Sequence, residues 1–207
     1  SDIVLLDDSF STIVKSVQWG RGIYENFQRF ILFQLTVNIS AVLLTVIFSL
    51  IPGGEAPFNA LELLWVNLIM DNSSIITQTM LIRIIMNGLF VAAMLLLQAR
   101  FNFLCVPGGM EKSVMFTAFV LFQLFNAVNA RELGSRSVFK GLRRNKIMWI
   151  VMAVTFALQI LITQFGDVVF NVAPLDFITW LKVIALAATI VLFNEIYKCV
   201  VRAVRKF

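Results

Sequence analysis

The residues of this sequence best suited to chemistry are carboxylates and amides inside apolar segments. Asp71 ends an apolar stretch, and Asn67 lies four residues before it, so a helix places both side chains on one face. A carboxylate inside a bilayer is costly, and carboxylate and amide oxygens are the ligands of a hard cation such as calcium. The pair therefore predicts an intramembrane cation site. The alternative is that Asp71 only caps a helix at the membrane surface.

Four further amides lie within apolar segments. Asn38 stands near the middle of the first segment, and Gln123, Asn126 and Asn129 recur at every third residue of a later one. That spacing indicates a helix face turned toward protein rather than lipid. An amide there either faces an ion or hydrogen-bonds to a neighbouring helix, which contributes about 0.6 kcal/mol on average. From the residues alone, helix association is the default interpretation for all four.

The composition places these residues in a membrane protein. Of the 207 residues, 59% are hydrophobic and 14% are charged, against about 25% charged residues in an average soluble domain. The net charge of +5 comes from basic residues between apolar blocks, which indicates orientation in a membrane rather than nucleic-acid binding. Cys105 and Cys199 are expected on opposite sides of the membrane. The sequence has no Cys/His cluster of the kind that binds a soft metal.

The apolar blocks predict an all-α membrane protein with six transmembrane helices. A short cytoplasmic strand at residues 3–6 and a stalk helix from Ser9 come before them, and the first residues do not have the pattern of a signal peptide. The second block would form only about 20 Å of helix, whereas the hydrocarbon core is about 30 Å thick. Either this block is re-entrant, or residues are missing near Asp71 and Asn72. The predicted spans are about 26–50, 59–71 (truncated), 75–101, 113–131, 147–166 and 177–199.

The basic residues favour one topology. With a cytoplasmic amino terminus and alternating segments, all Lys and Arg except Arg100, Lys112 and Lys182 fall on the inside. Both termini of this multi-pass protein are therefore expected in the cytoplasm. Arg83 and Lys182 lie near segment ends, where a long side chain is expected to snorkel to the interface. Trp149 and Trp180 fit the aromatic belts of a membrane protein.

Several strings resemble one family, the P-type calcium ATPases, and most closely the plasma-membrane type. Residues 1–38, which end in QLTVN, resemble the end of the phosphorylation domain and the fifth membrane helix. The string LLWVNLIMD resembles the sixth helix, FNAVNAREL the eighth and PLDFITWLKV the start of the tenth. The resemblance covers essentially the whole chain. It implies that residues 1–8 are a remnant of the phosphorylation domain and that 9–207 form the stalk and membrane helices five to ten.

The resemblance also implies the residues of an ion site. Asn67 and Asp71 match the calcium-binding Asn and Asp of the family's sixth helix, and Asn38 matches an Asn of the fifth helix near the same site. Gln123 stands where pumps of the sarcoplasmic-reticulum type have a Glu. The resemblance therefore implies that Gln123 is either a vestigial ligand position or a residue that contacts the ion's ligands rather than the ion. One calcium ion per cycle is the expectation. The family's sixth helix also continues past the Asp, which implies residues missing after Asp71.

The function that the resemblance implies is ATP-driven calcium export, with protons carried in the opposite direction. The chain has no DKTGT, TGES, TGDGVNDAP or PEGLP motif. ATP and magnesium are therefore expected only in missing cytoplasmic domains, and the chain alone is expected to be an inactive fragment. Its expected partners are the lipid bilayer and the missing amino-terminal half, with no nucleic acid, in a plasma membrane or a bacterial inner membrane. The alternatives are a P-type pump for another cation, a non-ATPase six-helix transport module, and a module without transport activity.

Overall fold

The computed structural model describes residues 10–50, 78–132, 137–138, 146–166 and 172–204, and the regular structure within them is helical. The helices are α1 (Phe10–Leu50), α2 (Gln78–Phe101), α3 (Glu111–Ala130), α4 (Lys146–Phe165) and α5 (Phe177–Val204). Each of these five is long and apolar enough to cross a membrane. The all-helical fold class is thus confirmed for these residues. The predicted strand at residues 3–6 and the predicted span at 59–71, on which the count of six depends, lie outside the described residues.

Helix α1 joins the predicted stalk and the first membrane span without a break. It has 41 residues, which corresponds to about 60 Å of helix. Its side chains are almost all exposed as far as Asn26, and fully buried positions begin at Ile31. The exposed Glu25–Arg29 ion pair, with 3.1 Å between Oε2 and Nη2, contributes little to stability. Because the hydrocarbon core is about 30 Å thick, α1 extends well beyond a membrane at its amino-terminal end.

The contact between α1 and α2 depends on small and hydroxyl side chains. Buried residues recur every fourth position of α1 at Leu32, Thr36 and Ser40, and the hydroxyls of Thr36 and Ser40 donate to the carbonyls four residues before them. Such bonds satisfy a hydroxyl where no water is available. On α2, a Cβ added to Gly88 would lie 2.7 Å from Ile39 Cγ2. Close approach of the two backbones therefore requires glycine at this position.

Helix α3 is the centre of the bundle, since it contacts each of the other four helices and most of its residues are buried. Its Phe122 packs edge-on against Phe90 of α2, which stacks on Phe193 of α5 with 4.4 Å between ring centroids. Lipid tails are as apolar as these side chains, so close packing rather than removal from water favours their association. The remaining members of this core include Val37 and Leu44 of α1 and Val183 and Ile190 of α5.

Helix α4 lies at the periphery and is attached through polar side chains. Among its described side chains only Gln159 and Thr163 are buried. The Thr163 and Thr117 hydroxyls are 3.2 Å apart, and Gln159 Nε2 donates to Thr163 Oγ1 at 3.1 Å. Trp180 of α5 packs edge-on against Phe156 and is 7% exposed. The Trp180 ring therefore faces protein rather than lipid, and its predicted place in an interfacial belt stays a prediction.

The connection between α2 and α3 is ordered around one asparagine. Asn102 adopts a left-handed backbone with φ of 41°, which Asn tolerates better than most residues. Its Oδ1 accepts hydrogen bonds from Gln98 Nε2 and from the Val106 amide. Lys182 of α5 donates to the Leu104 carbonyl at 2.6 Å. This hydrogen bond attaches α5 to the connection, and the snorkelling of Lys182 to the membrane interface stays a prediction.

Helix α5 has a side-chain cap at its start and extends past its predicted end. The Asp176 carboxylate accepts hydrogen bonds from the Thr179 amide and hydroxyl, which is the N-cap arrangement. The hydrogen bond from the Thr179 side chain is the main reason that the pKa of Asp176 lies below its ordinary value. The helix then continues to Val204, beyond the predicted boundary at Cys199.

Candidate ion-binding residues and a buried amide network

The residues predicted to bind an ion are divided between the described and the remaining parts of the chain. Asn67 and Asp71 lie outside the described residues, so their geometry is not part of this structure. Asn38 lies on α1 and Gln123 on α3. These two helices pack against each other, and the neighbouring residues Val37 and Phe122 belong to one core. The structure therefore places the two amides on helices that pack against each other.

Asn38 is half-buried in the membrane part of α1. Its Oδ1 is shielded from solvent, and the neighbouring Val37 and Gln34 are buried. The amide of Asn38 therefore belongs to the protein-facing part of α1 rather than to its lipid-facing part. This is the orientation that both an ion ligand and an interhelical contact require.

Gln123 is buried, with 7% of its surface exposed. Neither Oε1 nor Nε2 has a hydrogen-bond partner within the part of the chain that the structure describes. A buried amide usually has a hydrogen-bond partner, from protein or from ordered water. Among the described residues, therefore, Gln123 links no helices through a direct hydrogen bond.

The other amides of the α3 stripe do link helices. Asn87 of α2 stands at the centre of this network, because its Oδ1 accepts from Asn194 Nδ2 of α5 at 2.7 Å and its Nδ2 donates to Asn126 Oδ1 at 3.4 Å. Asn129 Nδ2 donates to the Ile190 carbonyl at 3.2 Å, and Asn194 Nδ2 donates to the same carbonyl. Helix association is therefore confirmed for Asn126 and Asn129. We refer to Asn87, Asn126, Asn129 and Asn194 as the amide network.

Arg83 continues this network toward one end of the bundle. The predicted snorkelling of its side chain is wrong, because Arg83 is 3% exposed. Its guanidinium donates to the Glu132 carbonyl at 3.0 Å and to the Asn129 carbonyl at 3.3 Å. Carbonyls at a helix carboxyl end have no partner within the helix and carry partial negative charge. The end of α3 therefore holds the guanidinium inside the bundle.

The two candidate ligands in the described part of the chain, Asn38 and Gln123, are both neutral. No group of three or more His, Cys, Asp or Glu that could hold a metal ion occurs among them. Calcium takes six to eight oxygens, among which carboxylates supply the charge. Asn38 and Gln123 supply amide oxygens only. A complete calcium site that includes them therefore needs further ligands, with at least one carboxylate.

Two members of the amide network were not among the residues predicted from the sequence. Asn87 and Asn194 lie inside apolar helices on α2 and α5, and both are fully buried. The signal was present, since a polar residue in the middle of a membrane span is expected to face protein. What the sequence does not contain is the pairing, because Asn87 and Asn194 are more than a hundred residues apart along the chain.

Residues 71–200 match the family model described as "Cation transporting ATPase, C-terminus". The chain is 33% identical over its whole length to the plasma membrane calcium-transporting ATPase 1 of Homo sapiens. It is 36% identical, over 91% of its length, to the plasma membrane-type calcium-transporting ATPase 12 of Arabidopsis thaliana. Over 95% of its length, it is 32% identical to the plasma membrane calcium-transporting ATPase mca-1 of Caenorhabditis elegans.

The chain spans about a fifth of the length of these relatives, with 18% to 21% of each covered. The match to the human protein runs over 244 residues, which exceeds the 207 residues of the chain. The human protein therefore carries residues within the matched region that have no counterpart here. That they follow Asp71 stays a prediction.

Proposed function

The chain belongs to the cation-transporting P-type ATPases, as a carboxy-terminal membrane part of the plasma-membrane calcium type, and from that premise we propose that it forms part of the ion path of an ATP-driven calcium exporter. The observation that carries this proposal is the family match over residues 71–200. It is supported by relatives that match most of the chain and are named calcium-transporting ATPases. The five apolar helices make it a multi-pass integral membrane protein.

The calcium site is proposed to include Asn67, Asp71 and Asn38. Asp71 is the first residue of the matched stretch and supplies the negative charge that a dehydrated divalent cation requires. Asn38 supports the proposal by its position in the protein-facing part of α1. Gln123 is neutral, and no direct hydrogen bond joins its amide to the described residues of the amide network, which fits a vestigial position better than a working ligand.

The remaining parts of the pump are proposed to complete this partial site. ATP and magnesium would act in the cytoplasmic domains of the amino-terminal half, which also carries membrane helices one to four. The exposed amino-terminal part of α1 supports a role as the stalk through which those domains move the ion-binding part of the same helix. Both termini would lie in the cytoplasm, with the pump in a plasma membrane or a bacterial inner membrane.

The proposal predicts a sharp difference between this chain and the pump that contains it. Because the proposed partial site of Asn67, Asp71 and Asn38 contains a single carboxylate, we expect the isolated chain to bind calcium no more tightly than about millimolar, and to hydrolyse no ATP. The full-length pump should hydrolyse ATP in response to calcium. Isothermal calorimetry and an ATPase assay measure these quantities. Micromolar binding by the isolated chain would indicate a self-contained transport module, and activation by a different cation would indicate a pump for that cation.

A further inference from the structure

In and beside the amide network, some hydrogen-bonding atoms have no partner among the residues that the structure describes. Among the described residues, Asn126 Nδ2, Asn129 Oδ1 and Lys198 Nζ have no hydrogen-bond partner, and the same holds for both amide atoms of Gln123. All four residues are more than nine-tenths buried. An unpaired polar atom at such depth is costly, and in folded proteins ordered water is the usual partner of such atoms.

These atoms form a column along two helices that pack against each other, α3 and α5. Gln123, Asn126 and Asn129 follow each other at every third residue of α3. Asn129 and Asn194 donate to one carbonyl, that of Ile190. Lys198 lies one turn after Asn194 on α5, so its side chain leaves the same face of that helix. The column thus runs from Gln123 through the amide network to Lys198.

Donors and acceptors are complementary at both breaks of this column. The first break lies between Lys198 and Asn129, where Lys198 Nζ offers a donor and Asn129 Oδ1 an acceptor. The second lies between Asn126 and Gln123, where Asn126 Nδ2 offers a donor and the Gln123 amide offers both a donor and an acceptor. Water is both donor and acceptor, so one water molecule is chemically suited to either break.

The charges of the column exclude a cation as the occupant. The Arg83 guanidinium and the Lys198 ammonium are both buried and positively charged, so each of them disfavours a cation nearby. Glu132 and Glu195 also act on this ammonium, but no ion pair of Lys198 with a described carboxylate forms. The Glu195 carboxylate instead accepts the Val138 amide at 2.7 Å. A neutral ligand that hydrates the ammonium fits this setting, whereas a metal ion does not.

We propose that ordered water binds at both breaks of the amide network, between Lys198 and Asn129 and between Asn126 and Gln123, so that a hydrated polar column runs inside the bundle of α2, α3 and α5. The ligand is water and not a transported ion. The inference concerns the helices of this chain and does not depend on which ion the pump carries.

An experimental map of the full-length pump, at a resolution that shows ordered water, tests the proposal on the unmodified protein. Density should lie at about 2.8 Å from Lys198 Nζ and Asn129 Oδ1, and at a similar distance from Asn126 Nδ2 and Gln123. A direct contact of Lys198 with Asn129, or with a carboxylate and no water between them, would overturn it. Density at about 2.4 Å from several oxygens, the spacing of calcium, would overturn it as well.

A double-mutant cycle tests whether Lys198 and Asn129 share a ligand. Lys198→Met and Asn129→Leu keep the approximate volumes and remove one partner each, so both release the same water. The shift in Tm of the double variant should therefore differ clearly from the sum of the two single shifts. Asn129→Leu combined with Gln159→Leu, which belongs to the separate α3–α4 contact, should be additive. Additive shifts for Lys198 and Asn129 would contradict a shared water. The conservative variant Lys198→Gln retains a donor, so its Tm should stay near that of the unmodified protein.

Discussion

Asp71→Asn in the full-length pump should reduce calcium transport by orders of magnitude and abolish calcium-dependent phosphorylation from ATP. The substitution keeps the size of the side chain and one carbonyl oxygen but removes its negative charge. A divalent cation loses most of its hydration in the membrane and depends on carboxylate charge to offset that cost. Phosphorylation from inorganic phosphate should persist, because it uses the ion-free state and a domain far from this residue.

Gln123→Ala is the matched control for this prediction. Gln123 is a buried polar residue in a membrane helix, but it is neutral and is not expected to bind the transported ion. Calcium activation of ATP hydrolysis in membranes should therefore remain close to that of the unmodified pump. Near-normal calcium activation in Asp71→Asn would remove this residue from the ion site and favour its interpretation as a helix cap.

Gly88→Val should destabilise the bundle more than any other single change at the α1–α2 contact. Even a Cβ alone would lie 2.7 Å from Ile39 Cγ2 and 3.2 Å from Ile39 Cβ, and Ile39 is β-branched and cannot rotate freely away. The helices must then separate, which weakens the hydrogen bond from Ser40 Oγ to the Gly88 carbonyl. Overpacking of this kind costs about 1–3 kcal/mol. Thermal unfolding in detergent, followed by circular dichroism, measures the loss.

Gly20→Ala provides the control for the Gly88 substitution. Gly20 is also helical, but nothing lies within 4 Å of a Cβ added there. Alanine favours a helix over glycine by about 0.8–1.0 kcal/mol, so stability should stay the same or rise. If Gly88→Val and Gly20→Ala had similar effects, close approach of α1 and α2 would not be the reason for glycine at residue 88.

The long apolar blocks were enough to predict the helices. The predicted spans at 75–101, 113–131 and 147–166 agree with α2, α3 and α4 within a few residues, because length and hydropathy are properties of each segment alone. The stripe of Gln123, Asn126 and Asn129 also indicated a protein-facing side, and its default interpretation holds for the two asparagines. These features depend on local periodicity, which a sequence contains directly.

The interactions that the sequence did not predict depend on contacts between distant segments. Arg83 stands near a helix end, where a snorkelling side chain is the usual expectation, but it donates to carbonyls at the end of α3. The edge-on contact of Trp180 with Phe156 of α4 was not predicted either. In both cases the partner lies on another helix. Only the arrangement of the helices determines that partner.

The polar contacts also suggest how the bundle is held together. Apolar contacts between helices gain little over contacts with lipid tails, because both are equally apolar. Hydrogen bonds also join α3 to its neighbours, to α2 through Asn87, to α5 through Asn129 and to α4 through Thr117. Each bond has few competing partners in lipid, so together they specify which helices become neighbours. The long α1 packs mainly against α2, and its amino-terminal part remains uncovered among the described residues.

The most direct test of the central proposal is ATP-driven uptake of radioactive calcium into inside-out membrane vesicles from cells that express the full-length pump. Vesicles from cells without the pump provide the background. We predict uptake above that background that requires ATP, saturates with calcium and is released by a calcium ionophore. Vesicles that accumulate no calcium, although the pump in them hydrolyses ATP in response to another cation, would contradict the assignment of this chain to a calcium exporter.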